Sequence, residues 1–431
     1  MLGSVGSPPQ PTIVRRAPAA SRMKKLALLL LTAAASLAAG DKPAWFADPT
    51  LQARLGFDTN PLGAGGSTIA VLGAEDTLTA SAGLGFALVA PTDSARGTAA
   101  RFTYAVDTFR FDRWSEENYT THRFGATGQI RLSAWKLSAD ASSLYIDGSR
   151  DTYLSLANAN ANATTLWRER REQWQHRAKV AAQRDLGAYV LRFNGSLLAY
   201  DYLTHVTAGH VGFADRRDLL AGADFGWKPS GNALVFAGVR AGWQSQDQVP
   251  LPNCAFDYSS RYTRLVAGWE GKLGSATTLA VSAGPDFRHF DGDVDTRVFA
   301  GRDRTSLWFE ASATTKLTST LTLTGKATRW VWLSSTGKSA YIDFSVDSAL
   351  AWNVTPATAL RLTAKAHESD YFPTVRQDWE SFAGFGATYK VNAALTLSAD
   401  LLIHRGWNEL TALPDRAFSR TVASVGATYK F

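Results

Sequence analysis

Cysteine is almost missing from this chain: Cys254 is the one cysteine in 431 residues. That excludes an internal disulfide and any metal site built from several thiolates, and it suits an exported chain that folds without oxidation. Long hydrophobic runs are missing too. Beyond Gly40 no stretch of 18 apolar residues occurs, so no transmembrane helix is available. Histidine is sparse and scattered, at His122, His176, His205, His210, His289, His367 and His404, with no pair at metal-binding helical spacing. His205, His210 and Asp215 are the least implausible acid–base trio, but residue types this common at such spacing carry little signal. There is no P-loop, and Gly83 and Gly85 lie inside a strand-like stretch rather than between a strand and a helix. The formal charge of +7 would suit a nucleic-acid partner, yet the basic residues stand singly rather than in patches, which argues against one.

The amino terminus has a readable purpose. Lys24 and Lys25 precede the apolar run Leu26 to Leu31, followed by small residues from Ala33 to Gly40. This is the positive, apolar, small-residue order of a secretory signal peptide, with an apolar core too short to span a bilayer. Residues 1–40 are therefore expected to be an extension plus signal peptide, with Met23 the expected true start. Residues 41–431 are expected to form one domain.

Within that domain, hydrophobicity alternates with period two over segments of about ten to fifteen residues, the signature of half-buried strands. Leu78, Ala80, Ala82, Leu84, Phe86 and Leu88 form one apolar face; Leu307, Phe309, Ala311 and Ala313 form another. Leu395, Leu397, Ala399, Leu401 and Ile403 repeat the pattern. Turn signals fall near Ser133–Lys136, Asp185–Ala188, Lys228–Asn232, Gly274–Thr277, Thr318–Thr320, Val354–Thr358 and Val391–Ala394. Longer polar connections alternate with them, at Asp58–Asp76, Asp147–Arg170, Leu203–Asp215, Asp247–Asp257, Asp291–Asp303 and Asn408–Arg416. The repeating unit is strand, long loop, strand, short turn, and counting it predicts about eighteen strands.

The chain ends inside such a strand. Val425, Ala427, Tyr429 and Phe431 face one way; Ser424, Gly426, Thr428 and Lys430 face the other. A soluble protein seldom stops on a bare half-apolar edge, because that edge recruits other chains. This tail resembles the carboxy-terminal signal of bacterial outer-membrane β-barrel proteins, carried by Gly426, Tyr429 and Phe431. With the signal peptide, the alternation and the loop asymmetry, the whole mature chain resembles an outer-membrane barrel of porin type, the group named "putative β-barrel porin". The resemblance implies an all-β, transmembrane, antiparallel up-and-down barrel of 16–18 strands, with short periplasmic turns and long extracellular loops. It implies passage of small hydrophilic solutes without a cofactor. Its partners would be outer-membrane lipid and lipopolysaccharide, the outer-membrane assembly machinery and the solutes; a homo-oligomer stays open. No amino-terminal plug precedes the first strand, expected near Leu51, which argues against an energised transporter.

Two further expectations follow from the pattern. Trp135, Trp227, Trp352, Tyr389 and Phe431 fall near short turns. Trp114, Tyr119, Tyr145, Trp174, Tyr202, Trp243, Tyr371, Trp379 and Trp407 fall near long loops. This predicts two aromatic girdles. On the opposite strand face lie Arg123, Arg131, Lys179, Arg264, Arg288, Glu310, Lys326, Asp343, Arg361, Lys365 and Asp400, the candidates to line a lumen. Placing Arg or Lys on the lipid face at mid-bilayer would cost about 2–4 kcal/mol each, and a dry interior would also penalise them. A wet lumen resolves both, and its basic excess would favour anions weakly. The loop Asp147–Arg170 either narrows that lumen or stays on the surface. Two alternatives remain: a non-conducting barrel for polysaccharide export or surface attachment, and a hydrolase with its site on the barrel rim.

Overall fold

The computed structural model describes residues 43–61, 76–90, 97–147, 172–203, 214–247, 257–291, 301–334, 339–372, 376–408 and 417–431. The strands are β1 (Phe46–Asp58), β2 (Thr77–Val89), β3 (Ala99–Phe111), β4 (Tyr119–Leu132), β5 (Trp135–Asp147) and β6 (Gln173–Leu186). Then come β7 (Tyr189–Tyr202), β8 (Arg216–Ser230), β9 (Ala233–Gln246), β10 (Ser260–Leu273), β11 (Thr277–Phe290) and β12 (Asp303–Lys316). The last six are β13 (Leu321–Leu333), β14 (Ala340–Asn353), β15 (Thr358–Phe372), β16 (Arg376–Lys390), β17 (Leu395–Asn408) and β18 (Phe418–Lys430). Each pairs antiparallel with its sequence neighbours, and β18 pairs with β1, so the 18-stranded sheet closes on itself. Closure removes the free edges that an open sheet would present to lipid.

Strands of 13 to 15 residues suit this purpose. At about 3.3 Å per residue and a tilt near 40°, 13 residues project to roughly 33 Å, enough for a ~25 Å apolar band with a rim at each end. The apolar faces point outward: Leu55, Leu78 and Val425 are all exposed. The seam is pinned at several heights. Thr50 faces Lys430 and Asp58 faces Val422 in register, the Phe431 N–H donates to the Pro49 carbonyl at 3.0 Å, and Arg420 forks onto Asp58.

The turns at one end are tight, as in β4–β5, where Ser133 takes a positive φ of 53°, and β6–β7, where Gly187 takes 70° at no steric cost. The loop asymmetry is less regular than the sequence suggests. The β2–β3 connection, 90–98, is long for the short-turn end, while 334–339 and 373–375 are short for the long-loop end. The Asp147–Arg170 loop lies almost wholly outside the described residues.

The girdles need one correction. Tyr189, Trp227, Trp352, Tyr389 and Tyr429 are exposed on the outer face near the short turns, with Trp135 beneath the Arg184 guanidinium. Trp243 and Trp407 are exposed on the outer face toward the other end, where the half-buried Trp379 stacks on Trp407 at 6.2 Å and Tyr145 meets Trp174 at 4.8 Å. Tyr119, Tyr202 and Tyr371 instead point inward. Tyr119 stacks on inward-facing Phe109 at 4.5 Å, Tyr202 accepts from Arg216, and Tyr371 packs on Tyr341 at 5.0 Å. Proximity to a long loop sets height along the strand; only residue parity sets the face.

Candidate functional site

Strand parity puts the polar set inside, and the interior has two unlike halves. Around β1, β3–β6 and β12–β18 many charged side chains remain in contact with water, although Asp58 and Asp107 are buried beneath their arginine partners. Arg123 pairs with Asp107 yet is 51% exposed, and Lys326 reaches Glu310 at 3.4 Å with 51% and 44% exposure. Arg54 and Asp400 pair at 2.9 Å across β1, β18 and β17, both well exposed. Arg131, Lys179, Arg361 and Lys365 are exposed on the same inward face. Asp343 holds His367 at 3.0 Å, both half-buried. Inward-facing groups inside a closed ladder can be exposed only where the barrel encloses solvent.

Across β8–β11 the inward polar groups are buried instead. Asp286 accepts from Arg264 Nε at 2.7 Å and lies 3.3 Å from Arg288 Nη2. Arg288 also donates to Gln244 Oε1 at 2.6 Å and Ser260 Oγ at 2.7 Å. The Tyr262 hydroxyl donates to Asp218 at 2.7 Å, and both guanidiniums sit over its ring, at 4.3 and 4.4 Å. A second cluster lies lower on the same wall: Arg240 forks onto Asp224, and Arg192 donates to Glu270 at 2.9 Å. So Arg264 and Arg288 lie together and Lys326 meets Glu310, whereas the other candidates sit apart, with Arg123, Asp343 and Asp400 each paired to a residue outside the set.

What covers this wall is the barrel itself. The β12–β13 ladder runs from Lys316 and Thr322 up to Phe309 and Arg329 and stops there, although both strands continue. Above that point Arg329 donates to the Leu307 carbonyl, satisfying one acceptor on the bared β12 edge. The ends of β13, β14 and β15 stay paired with each other up to Leu333, Ala340 and Phe372 and lean inward together. There Gln244 donates to the Val331 carbonyl and Gln246 to the Ser334 carbonyl, each at 2.9 Å, while Arg216 donates to the Leu333 carbonyl. Leu333, Val331, Ile342 and Phe372, whose parity would otherwise face lipid, bury against Phe290 and Tyr258 of the neighbouring β10–β11 wall. The other side of this inlaid sheet carries Trp330 and Trp332, stacked at 5.1 Å, with Trp332 beside Tyr200 and Arg216.

Sequence reasoning missed Arg216, Gln244, Gln246 and this aromatic group. Parity alone would have placed Trp330 and Trp332 on the face of Lys326, but nothing local signals that their strand leaves its neighbour. Of the rim trio, His205 and His210 lie outside the described residues. Asp215 accepts the Tyr202 N–H at 2.7 Å, a structural use, and burial pushes its carboxyl above the usual range, with Asp201 and Asp247 adding to the effect.

Several solved structures are similar to this chain. The outer membrane protein OpdK of Pseudomonas aeruginosa shares 12% identity over 89% of this chain and 99% of its own, with a TM-score of 0.42. OccK2 (OpdF) of Pseudomonas aeruginosa, solved in complex with glucuronate, shares 11% over 90% and 98%, with a TM-score of 0.43. OccAB3 of Acinetobacter baumannii shares 10% over 90% and 100%, also at 0.43. No curated protein matches. Residues 44–431 match the family described as "Putative beta-barrel porin 2". The closed β-barrel accords with that description, and the chain belongs to this family of β-barrel porins.

Proposed function

We propose that the protein lets small hydrophilic solutes diffuse passively across the outer membrane, with no cofactor and no catalytic step. The observation that carries this is the exposure of inward charges such as Arg123, Lys326 and Glu310 inside a closed ladder. Water must reach them, because burying several such groups dry would cost far more than the barrel's pairings return. Lys179, Arg361 and Lys365 extend a modest basic excess along the wet half, which supports a weak anion preference. In planar bilayers the pure folded protein is expected to give stepwise conductance, and a salt gradient a reversal potential displaced slightly toward that of the anion. Absence of steps would overturn the channel and favour the non-conducting barrel for polysaccharide export or surface attachment. A cation-directed reversal potential would overturn the preference alone.

Residues 1–40 fit an extension and signal peptide removed on export, leaving 41–431 as the barrel. Gly426, Tyr429 and Phe431 serve the assembly machinery rather than the pore. Tyr429 is exposed to lipid, and Phe431 packs edge-on against it at 4.9 Å at the foot of the seam. The described contacts of Phe431 are this packing and one backbone bond to Pro49, so its loss should leave the barrel's stability nearly intact. Deleting Phe431 is expected to cut membrane insertion in cells at least several-fold while refolding into detergent proceeds normally. Equal loss in both would assign the residue a structural role instead. The outer face would meet lipid and lipopolysaccharide at its long-loop end.

A further inference from the structure

The inlaid ends of β13, β14 and β15 rest on a wall that is chemically unsuited to burial. Beneath them lie Arg264, Asp286, Arg288 and Gln244, each at most 3% exposed. Arg264 Nη2, Asp286 Oδ1, Arg288 Nε and Gln246 Oε1 find no protein partner there. Such atoms are at home against water, and covering them opposes the docking. What favours docking is the apolar contact of Leu333 and Phe372 with Phe290, together with the three side-chain bonds from Arg216, Gln244 and Gln246. The two tendencies work against each other on one surface.

Leaving that surface would break no ladder. The β12–β13 pairing already ends at Phe309 and Arg329, and on the other flank β15 stays paired with β16 up to Tyr371 and Arg376, so the three strand ends can swing about the β15–β16 edge with their pairing intact. The docked sheet projects into the lumen at the long-loop end, where its inner side carries the half-buried Trp330 stacked on Trp332, which is itself buried against Tyr200 and Arg216.

We propose that this inlaid strand sheet is the constriction of the channel, that Arg216, Gln244 and Gln246 latch it, and that releasing the latch widens the pore. The inference rests on the channel reading above and assigns its size limit. A wall of arginines and carboxylates behind the sheet becomes part of the aqueous lining once the latch opens.

The test combines the triple variant Arg216→Ala/Gln244→Ala/Gln246→Ala with a labelling readout that does not depend on conduction. The triple variant is expected to raise single-channel conductance about twofold or more and to admit larger solutes in liposome swelling. In a Cys254→Ser background, Leu333→Cys, buried at the docked face, is expected to react with a hydrophilic maleimide about tenfold faster when the latch is removed. Heat-modifiable migration confirms folding, and Gln244→Ala/Gln246→Ala replaces the triple variant if that barrel does not form. Unchanged conductance with faster labelling would overturn the constriction; unchanged labelling would overturn the latch. Steps from the unlatched protein alone would overturn the channel reading for the native barrel and make the docked sheet a seal rather than a constriction. Silence from both proteins would refute the channel reading and the constriction with it, whereas wild-type conduction unaltered by unlatching would sink only the constriction.

Discussion

Asp286→Ala is expected to lower the unfolding free energy of the barrel by about 3–5 kcal/mol. The carboxylate is 1% exposed and is the shared acceptor of Arg264 at 2.7 Å and Arg288 at 3.3 Å, which are themselves 3% and 2% exposed. Removing it leaves two buried guanidiniums beside the Tyr262 ring with one negative charge fewer. Breaking a buried pair costs more than the pair contributes, because the orphaned charge keeps its full desolvation penalty. Asp286→Asn retains an acceptor but not the charge, and should recover only a minor part of the loss. Urea unfolding in lipid vesicles, followed by tryptophan emission, measures both. A loss below about 1 kcal/mol would mean that water reaches this wall and screens the arginines.

Gly284→Val is expected to cost about 3 kcal/mol or more and to reduce the yield of folded barrel. A Cβ at position 284 would lie 1.7 Å from the Leu265 carbonyl oxygen, a backbone atom that cannot swing aside as a side-chain end would. The β10–β11 ladder is interrupted here, between Arg264/Asp286 and Ala267/Ala283, with the register unchanged, and the next residue, Pro285, has no N–H to offer. The two strands thus approach closely at a point where one of them lacks both a side chain and a donor. Gly325→Ala provides the control. Its Cβ would meet nothing nearer than the Asp347 carbonyl at 4.0 Å, so it should be close to neutral by the same unfolding measurement. Equal effects at both positions would refute the close-approach argument.

Much of the fold was legible because a membrane barrel leaves a periodic record. The alternation of Leu395, Leu397, Ala399, Leu401 and Ile403 against Asp400 and His404 identifies the lipid face of β17 without any partner strand. The same parity set the face of each inward charge, and turn chemistry at Gly187–Ala188 and Gly231–Asn232 located the hairpins. The terminal strand was readable for the same reason, down to its pairing with the segment around Leu51. Aromatics near loops were misread where height was taken for face, as with Tyr119, Tyr202 and Tyr371.

The interior was legible only in kind. Parity says that Arg264, Arg288 and Arg361 face inward; it does not say that the first two are dry and the third is wet. Arg216 meets the carbonyl of Leu333, 117 residues further along the chain, and no local pattern marks that contact.

By itself the sequence determined the strands, their faces and the closure of β18 on β1, since each follows from period-two burial against lipid or from chemistry within one segment. Only the tertiary structure decided where the ladder fails. Above Phe309 and Arg329 the apolar faces of β13–β15 find Phe290 and Tyr258 rather than lipid, because the strand ends part from β12 and fold inside the curved β10–β11 wall. Whether an inward arginine touches water or another strand depends on that curvature, a property of all eighteen strands together and of no single one.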